Sequence, residues 1–148
     1  DGVLTVDLPP EEAEVFNEQL RASNIENIFL LAPTSSQIRQ KKVTNMAGGF
    51  VYYVSLNGVT GAANLDVDSV KDHVSSIRAL TKLPICVGFG IKDGVTARAV
   101  ADVSDGVVVG SAIVNKIADL AKLGELDPLI YAETVSVVIK DIRDALDK

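Results

Sequence analysis

The sequence predicts an α/β fold in which short buried strands alternate with helices, five times in succession. Two observations carry this prediction. The strand-like runs are rich in Val, Ile and Leu and nearly continuous in apolar character, which is typical of parallel strands covered on both faces. The segments between them show helix-start residues and apolar residues at helical spacing. No linker or low-complexity stretch interrupts the order, so residues 1–148 are expected to form part of one domain.

The predicted elements follow in chain order. Pro9 and Pro10 open the first helix, and Glu11 and Glu12 place negative charge in its first turn. The helix predicted at residues 66–80 has its apolar residues on one face. The predicted strands are residues 3–6, 28–31, 50–54, 85–88 and 106–109, and the other helices are residues 35–47, 93–101, 112–120 and about 127–146.

Two architectures fit five β/α units. One is a complete doubly wound sheet of the flavodoxin type. The other is five-eighths of a (β/α)8 TIM barrel, since about 30 residues per unit would give ~240 residues for eight units. Three strand-to-glycine junctions favour the barrel, at residues 58–61, 88–91 and 110–114. Barrels bind phosphate in the loops after their last strands, beside a short extra helix, and the third junction opens such a helix.

The same junctions indicate what the fold binds. Backbone amides at glycine-rich turns and helix N-termini hold phosphate without needing Lys or Arg. A single junction is weak support, but three on consecutive strands predict one phosphate-sized anion at one end of a parallel sheet.

Composition argues against several other classes. The net charge of −6 disfavours nonspecific nucleic-acid binding, which needs basic surface. No apolar run reaches the ~18 residues of a membrane span. The single cysteine, Cys86, cannot form an internal disulfide and fits a reducing cytoplasm. No Cys/His cluster suggests zinc. We therefore expect a cytoplasmic protein with no nucleic-acid, membrane or metal partner.

Five segments form a set of motifs in chain order. They are residues 7–9 (Asp-Leu-Pro), 29–33 (Phe-Leu-Leu-Ala-Pro), 52–61 (ending Gly-Val-Thr-Gly), 88–91 (Gly-Phe-Gly-Ile) and 110–114 (Gly-Ser-Ala-Ile-Val). Together they resemble the α subunit of tryptophan synthase, and the last three in combination are highly specific. The resemblance spans the chain and implies that residues 1–148 are the C-terminal part of a single TIM-barrel domain, strands four to eight, and so a segment of a longer polypeptide.

The resemblance implies a carbon–carbon lyase of tryptophan biosynthesis. The family cleaves indole-3-glycerol phosphate to indole and glyceraldehyde 3-phosphate by a retro-aldol step under general acid–base catalysis. Its catalytic Glu and Asp follow strands two and three, so we expect no catalytic residue in this chain. The α subunit needs no cofactor or metal. Pyridoxal phosphate is expected only in the partner β subunit of an α2β2 complex.

By the same resemblance, main-chain amides at Gly61, Gly90 and Gly110 bind the substrate phosphate, and the hydroxyl of Ser111 adds a donor. The competing interpretation is turn chemistry, because glycine ends strands wherever φ is positive. For Gly61 alone the two interpretations are balanced, whereas the three junctions together favour phosphate. Gly88 is expected to serve close packing.

The resemblance assigns three residues to the substrate pocket. Tyr52 borders the substrate, Thr60 lies in the loop after the sixth barrel strand, and Phe89 lies against the substrate. Tyr53 must then point to the opposite side of its strand. The alternatives are a half-buried strand tyrosine for Tyr52 and core packing for Phe89. Leu56 departs from the family, which often has Arg there, and this puts the family's loop-closing contacts in doubt.

Asp7 and Pro9 follow the first strand in a turn that the family uses at the α/β subunit contact. A helix-entry role is the alternative for Asp7. Two other residues are expected to carry no chemistry: Cys86 as a small buried core residue and His73 as a solvated one.

Rival functions remain open at this point. Another phosphate-binding TIM-barrel isomerase or synthase would share the glycine junctions, and a non-catalytic half-barrel module could bind a phosphorylated metabolite. We expect the isolated chain to be inactive, since the catalytic Glu and Asp are missing. Its open strand edges are expected to promote association.

Overall fold

The computed structural model describes residues 1–55, 66–88 and 90–148. The described residues form one parallel sheet of five strands and six helices. The strands are β1 (Gly2–Leu4), β2 (Glu26–Leu31), β3 (Val51–Val54), β4 (Ile85–Gly88) and β5 (Gly106–Val108). The helices are α1 (Glu14–Ala22), α2 (Gln37–Met46), α3 (Val67–Arg78), α4 (Gly94–Ala101), α5 (Ser111–Lys122) and α6 (Pro128–Leu146).

The strand order decides between the two predicted architectures. The strands lie in the sheet as β1-β2-β3-β4-β5, each parallel to the next. A doubly wound sheet reverses direction at a switch point, and this sheet does not. Crossovers that are right-handed and always step the same way place the connecting helices on one face. The chain is therefore an open half-barrel, five consecutive β/α units of the TIM-barrel fold.

The two faces of the sheet are buried to different degrees. On the helix-covered face, Leu31, Val51 and Ile85 are almost fully buried and pack in one core with Val74 and Val100 of the helices. Strand side chains alternate between faces, so their neighbours lie on the side that becomes the interior of a closed barrel. Those interior-facing residues are half-buried to exposed, with Gly88 the buried exception: Leu4, Ile28, Leu30, Tyr52, Val54, Cys86, Gly88 and Val108.

Helix starts follow the caps that the sequence supplies. Ser36, Asp66, Asp93 and Asp127 precede α2, α3, α4 and α6, and the side chain of each accepts a backbone N–H of its helix. Such caps satisfy donors that the helix itself leaves without a partner. In α4 the cap is reciprocal, because Thr96 Oγ1 also accepts the Asp93 N–H. Hydrogen bonding with Thr96 holds the pKa of Asp93 below its ordinary value.

Some boundaries differ from the sequence prediction. The first helix begins at Glu14 rather than at the prolines, because Pro9 and Pro10 first form turns whose carbonyls accept the N–H groups of Glu12 and Ala13. The third helix ends at Arg78, before Leu80, which is 39% exposed.

Two residues lie in environments that the sequence did not predict. His73 is half-buried, with its ring 5.6 Å from that of Tyr53, whereas a solvated side chain was expected. Cys86 is half-buried on the interior face of the sheet rather than in the core. Burial, and then the charge of Asp105, raise the pKa of the Cys86 thiol.

Candidate functional site

The candidate site lies where β3, β4 and β5 end, at the carboxyl edge of the sheet. Gly88 of β4 pairs with Val108 of β5, and Gly90 and Gly110 each lie two residues beyond that pair. Neighbouring strands are about 4.8 Å apart, so the two loops leave the sheet side by side. The fold thus places the predicted phosphate residues Gly90, Gly110 and Ser111 at the carboxyl ends of β4 and β5, the part of the sheet edge that we call the rim.

Gly90 has a conformation that requires glycine. Its φ is +78°, in the left-handed region that residues with a Cβ adopt only with strain, and the residue is exposed. The positive φ of the turn is therefore sufficient to explain why residue 90 is glycine. A left-handed residue is also one component of the backbone nests that bind anions, so this conformation is compatible with a phosphate site.

Gly110 is not explained in that way. Its φ of −118° is open to any residue. A Cβ built at Gly110 would meet no atom of the described residues within 4 Å. No described neighbour therefore demands glycine here. Glycine does, however, let a ligand approach the backbone closely.

The N-terminus of α5 begins at this rim. Gly110 is its N-cap, and among the described residues no side chain caps it. The N–H groups of Ile113 and Val114 both bond the Gly110 carbonyl, whereas those of Ser111 and Ala112 have no acceptor within the described ranges. Ser111 is exposed at the first helical position. Free N–H groups and the positive end of the helix dipole together favour an anion at this point.

Tyr52 lies on the interior face beside this rim. Its register partners are Leu30 of β2 and Cys86 of β4, while Tyr53 is buried on the helix side, as the alternation predicts. The Tyr52 ring reaches along the sheet to Gly88, where an added Cβ would overlap it, with Tyr52 Cζ at 2.7 Å. The close-packing role expected for Gly88 is confirmed.

Burial shapes the chemistry of both tyrosines. It raises the pKa of the half-buried Tyr52 and raises that of Tyr53 to about 12. Both phenols are therefore neutral hydrogen-bonding groups near pH 7 rather than bases.

Ser55 and Leu30 are site neighbours that the sequence analysis left without a role. Ser55 follows β3, is 1% exposed, and donates both its N–H (3.0 Å) and its hydroxyl (Oγ to O, 3.2 Å) to the Gly88 carbonyl. A polar residue between an apolar strand and a glycine loop was the signal for Ser55. No such signal existed for Leu30, because apolar residues line both faces of a parallel strand.

The predicted subunit-contact residues lie at the same edge of the sheet, after β1. Asp7 is exposed in a turn, and Pro9 is half-buried before α1. Farther along this segment, Lys42 of α2 bonds Glu11 at 2.7 Å, which ties the segment to α2 and lowers the pKa of Glu11. The segment is thus joined to the helix layer while Asp7 stays open to contact.

Three predicted site residues, Thr60, Gly61 and Phe89, lie outside the described residues, as does Leu56. Within the described part of the chain, no group of three or more His, Cys, Asp or Glu side chains could hold a metal ion. Among the described helices, none is long and apolar enough to cross a membrane.

The fold and the rim define a class: a parallel β/α-barrel protein with glycine turns and an open helix N-terminus at the carboxyl ends of its last strands. The family model described as tryptophan synthase alpha chain matches residues 1–139. The chain belongs to the tryptophan synthase alpha chain family.

Individual relatives agree with this family. The tryptophan synthase alpha chain of Thioalkalivibrio sulfidiphilus is 52% identical over 99% of this chain and 54% of its own length. The crystal structure of the α subunit from Legionella pneumophila superposes with a TM-score of 0.83 at 35% identity, covering 99% of this chain and 52% of that one. An α2β2 complex structure from Pyrococcus furiosus matches with a TM-score of 0.78 at 32% identity, covering 100% of this chain and 56% of that one. The chain thus spans about half the length of the relatives it matches.

Proposed function

We propose that the protein containing this chain is a carbon–carbon lyase that cleaves indole-3-glycerol phosphate to indole and glyceraldehyde 3-phosphate. This chain supplies the phosphate anchor and part of the indole pocket. The observation that carries the proposal is the rim where Gly90, Gly110 and Ser111 converge, with the N-terminus of α5 open toward it. Membership of the tryptophan synthase alpha chain family supports the choice of substrate.

The phosphate does not react in this cleavage, so its anchor acts by positioning. Backbone N–H groups at Gly90 and at the start of α5 hold the dianion, and the Ser111 hydroxyl donates to it. Holding one end of the substrate fixes the reacting carbon–carbon bond relative to the groups that move protons. The resemblance places those groups, a Glu and an Asp, after strands that precede residue 1 of this sequence.

Tyr52 and Leu30 shape the pocket on the interior face. Their side chains lie side by side on neighbouring strands and provide an apolar wall of the kind that an indole ring contacts. The Tyr52 hydroxyl is protonated near pH 7, as any phenol is, and burial raises its pKa further; it serves as a hydrogen-bonding group at the edge of that wall. Thr60, Gly61 and Phe89 complete the proposed set.

A second subunit is part of the proposal. The Pyrococcus furiosus relative is described in a tryptophan synthase α2β2 complex. Asp7 and Pro9 lie at the carboxyl edge of the sheet, where a partner that receives indole would have to dock. The partner would be a β subunit that carries pyridoxal phosphate, while this chain's own proposed role requires no cofactor.

The test is a chimera that joins residues 1–148 to the preceding N-terminal part of the Thioalkalivibrio sulfidiphilus relative. Indole release from indole-3-glycerol phosphate is the expected result. Ser111→Ala should lower kcat/KM by about tenfold or more, since a hydrogen bond to a charged group is lost. Gly110→Ala should also lower kcat/KM. Its Cβ meets no described atom, so its effect on thermal stability should be limited to the poorer helix capping by Ala, well under about 1 kcal/mol.

The chimera separates the proposal from its rivals. A folded chimera that releases no indole yet binds glycerol 3-phosphate would favour a non-catalytic phosphate-binding module. Turnover of a different phosphorylated sugar would favour another barrel isomerase or synthase. Full activity in both the Ser111→Ala and Gly110→Ala chimeras would remove the phosphate assignment.

A further inference from the structure

Gly88 is held by β3 from two directions. Its carbonyl accepts two hydrogen bonds from Ser55, one from the N–H at 3.0 Å and one from the hydroxyl at 3.2 Å. Its Cα lies against the Tyr52 ring so closely that a Cβ would overlap the ring. Tyr52 and Ser55 belong to the same strand end, three residues apart. The end of β4 is therefore held against the pocket wall by the side chain of Tyr52 in β3 and by Ser55, the residue that follows β3.

This contact lies at the end of β4, immediately before the turn that contains Gly90. Gly88 is the last residue of β4, and Gly90 follows two residues later in a left-handed conformation. Val54 is the last residue of β3 that pairs with β4. The Ser55 hydroxyl therefore supplies a side-chain hydrogen bond to β4 at the point where the strand pairing ends. Gly88 and Gly90 are only two positions apart in the chain, so the contacts of the Gly88 carbonyl lie close to the start of the Gly90 turn.

The burial of Ser55 makes its hydroxyl bond effective. The residue is 1% exposed, so water does not compete for the Gly88 carbonyl as it would at the surface. A hydrogen bond in such surroundings is stronger than one in water, and a buried polar group left without a partner is costly.

We propose that Ser55 is a positioning residue that sets the distance between the phosphate-binding turn at Gly90 and the indole-facing ring of Tyr52. The proposal rests on the proposed function, because it assigns the spacing of that same site. Ser55 does not touch the substrate. It aligns two subsites, so its loss should weaken ligands that must reach both and spare a ligand that occupies only one.

The test uses the 148-residue chain and two probes measured by calorimetry. Inorganic phosphate occupies the anchor alone. The phosphate ester of 3-(indol-3-yl)propanol joins an indole ring to a phosphate through a chain that cannot be cleaved. Ser55→Ala is expected to weaken the indole probe about three- to tenfold, the factor that one lost hydrogen bond corresponds to, and to change phosphate affinity by less than about twofold.

Ser104→Ala is the matched control. The Ser104 hydroxyl also bonds backbone carbonyls, those of Val100 (2.9 Å) and Gly106 (3.1 Å), but at the opposite end of the sheet. Ser104→Ala should lower the free energy of unfolding by no more than Ser55→Ala does, because Ser104 is only half-buried, and it should leave the affinities for both probes unchanged. A purely structural role for Ser55 would make the two variants alike.

The outcomes separate the two proposals. Wild-type chain that binds neither probe would overturn the phosphate site and the alignment role together. Wild-type binding with equal weakening of both probes by Ser55→Ala, or with no weakening, would overturn the alignment role alone. If Ser55→Ala does not fold, Ser55→Cys replaces it, since a thiol keeps the volume but donates weakly. A selective loss of indole-probe affinity in Ser55→Cys supports the proposal, and an unchanged ratio of the two affinities overturns it.

Discussion

Replacing Asp105 tests what stabilises the N-terminal ends of β4 and β5, at the edge of the sheet opposite the candidate site. Asp105 precedes β5, and its Oδ2 accepts the Ile85 N–H at 2.8 Å and the Arg78 guanidinium at 2.8 Å. Its own N–H donates to the Ile85 carbonyl at 2.9 Å. Asp105→Ala removes the carboxylate from both partners at once. Ile85 is fully buried at the start of β4, so its N–H loses its partner at the edge of the core.

The expected loss has two unequal parts. A buried donor left without a partner costs about 1–3 kcal/mol. The pair with Arg78 contributes less, at most about 1 kcal/mol, because the two side chains are 48% and 37% exposed and solvent screens them. We expect Asp105→Ala to lower the free energy of unfolding by about 2 kcal/mol at pH 7.

The same site predicts a pH dependence. Burial alone would raise the pKa of Asp105, but the hydrogen bonds from Arg78 and the Ile85 N–H, with the Arg78 charge, lower it below its ordinary value. A lowered folded-state pKa means that the carboxylate contributes stability above about pH 4, its unfolded value, and loses it as the pH falls through the folded-state pKa. The difference between wild type and Asp105→Ala should therefore shrink below pH 4.

Urea denaturation at pH 7 and in steps below pH 4, at several protein concentrations, measures both effects. Asp105→Asn separates them, since its amide oxygen can still accept the Ile85 N–H but carries no charge. It should lose less than about 1 kcal/mol and show no titration. Asp102→Ala is the control, because its exposed pair with Arg98 should contribute no more than about 0.5 kcal/mol. Equal losses in Asp105→Ala and Asp102→Ala, or an Asp105 effect that grows in acid, would refute the reasoning.

Three further predictions follow from close packing and from the family assignment. Gly94→Ala should lower the free energy of unfolding by about 1–3 kcal/mol, because its Cβ would lie 2.8 Å from Ala145 Cβ and 2.9 Å from the Asp141 carbonyl oxygen in the α4–α6 contact. Thermal unfolding measures the loss. An unchanged midpoint would mean that the two helices can move apart at no cost. Gly88→Ala should move the Tyr52 ring and weaken binding of the indole-bearing phosphate probe, with unchanged affinity counting against that ring position. The isolated 148-residue chain should release no indole from indole-3-glycerol phosphate, and measurable release would contradict the placement of both catalytic carboxylates before residue 1.

Local structure followed from local sequence. The caps at Ser36, Asp66, Asp93 and Asp127 lie within one or two residues of the predicted helix starts, because a cap acts through its own side chain on the next turn. The five predicted strands overlap those observed, since short runs rich in Val, Ile and Leu and bounded by turn residues favour buried parallel strands. The exception was the start of α1, where two prolines formed turns before the helix rather than opening it.

The family resemblance supplied what local rules could not, namely the phosphate residues and the pocket tyrosine. The structure then showed the backbone conformation and the neighbours of these residues. Gly90 has a positive φ that requires glycine and Gly110 has a negative φ, yet the sequence shows the same residue at both positions. Only the backbone angles and the neighbours separate a turn glycine from one that leaves room for a ligand.

By itself, the sequence determined the order of elements, the helix caps and the three glycine junctions, because each depends on residues a few positions apart. Local sequence left the strand order open, and tertiary structure decided it, together with the contact of the Tyr52 ring with Gly88 and the hydrogen bond of Ser55 to a carbonyl 33 positions away. Strand pairing joins segments that are distant in the chain. When a strand is apolar on both sides, its residue pattern does not show which side faces the helices. The half-barrel and its aligned rim are therefore properties of the pairing and not of any one segment.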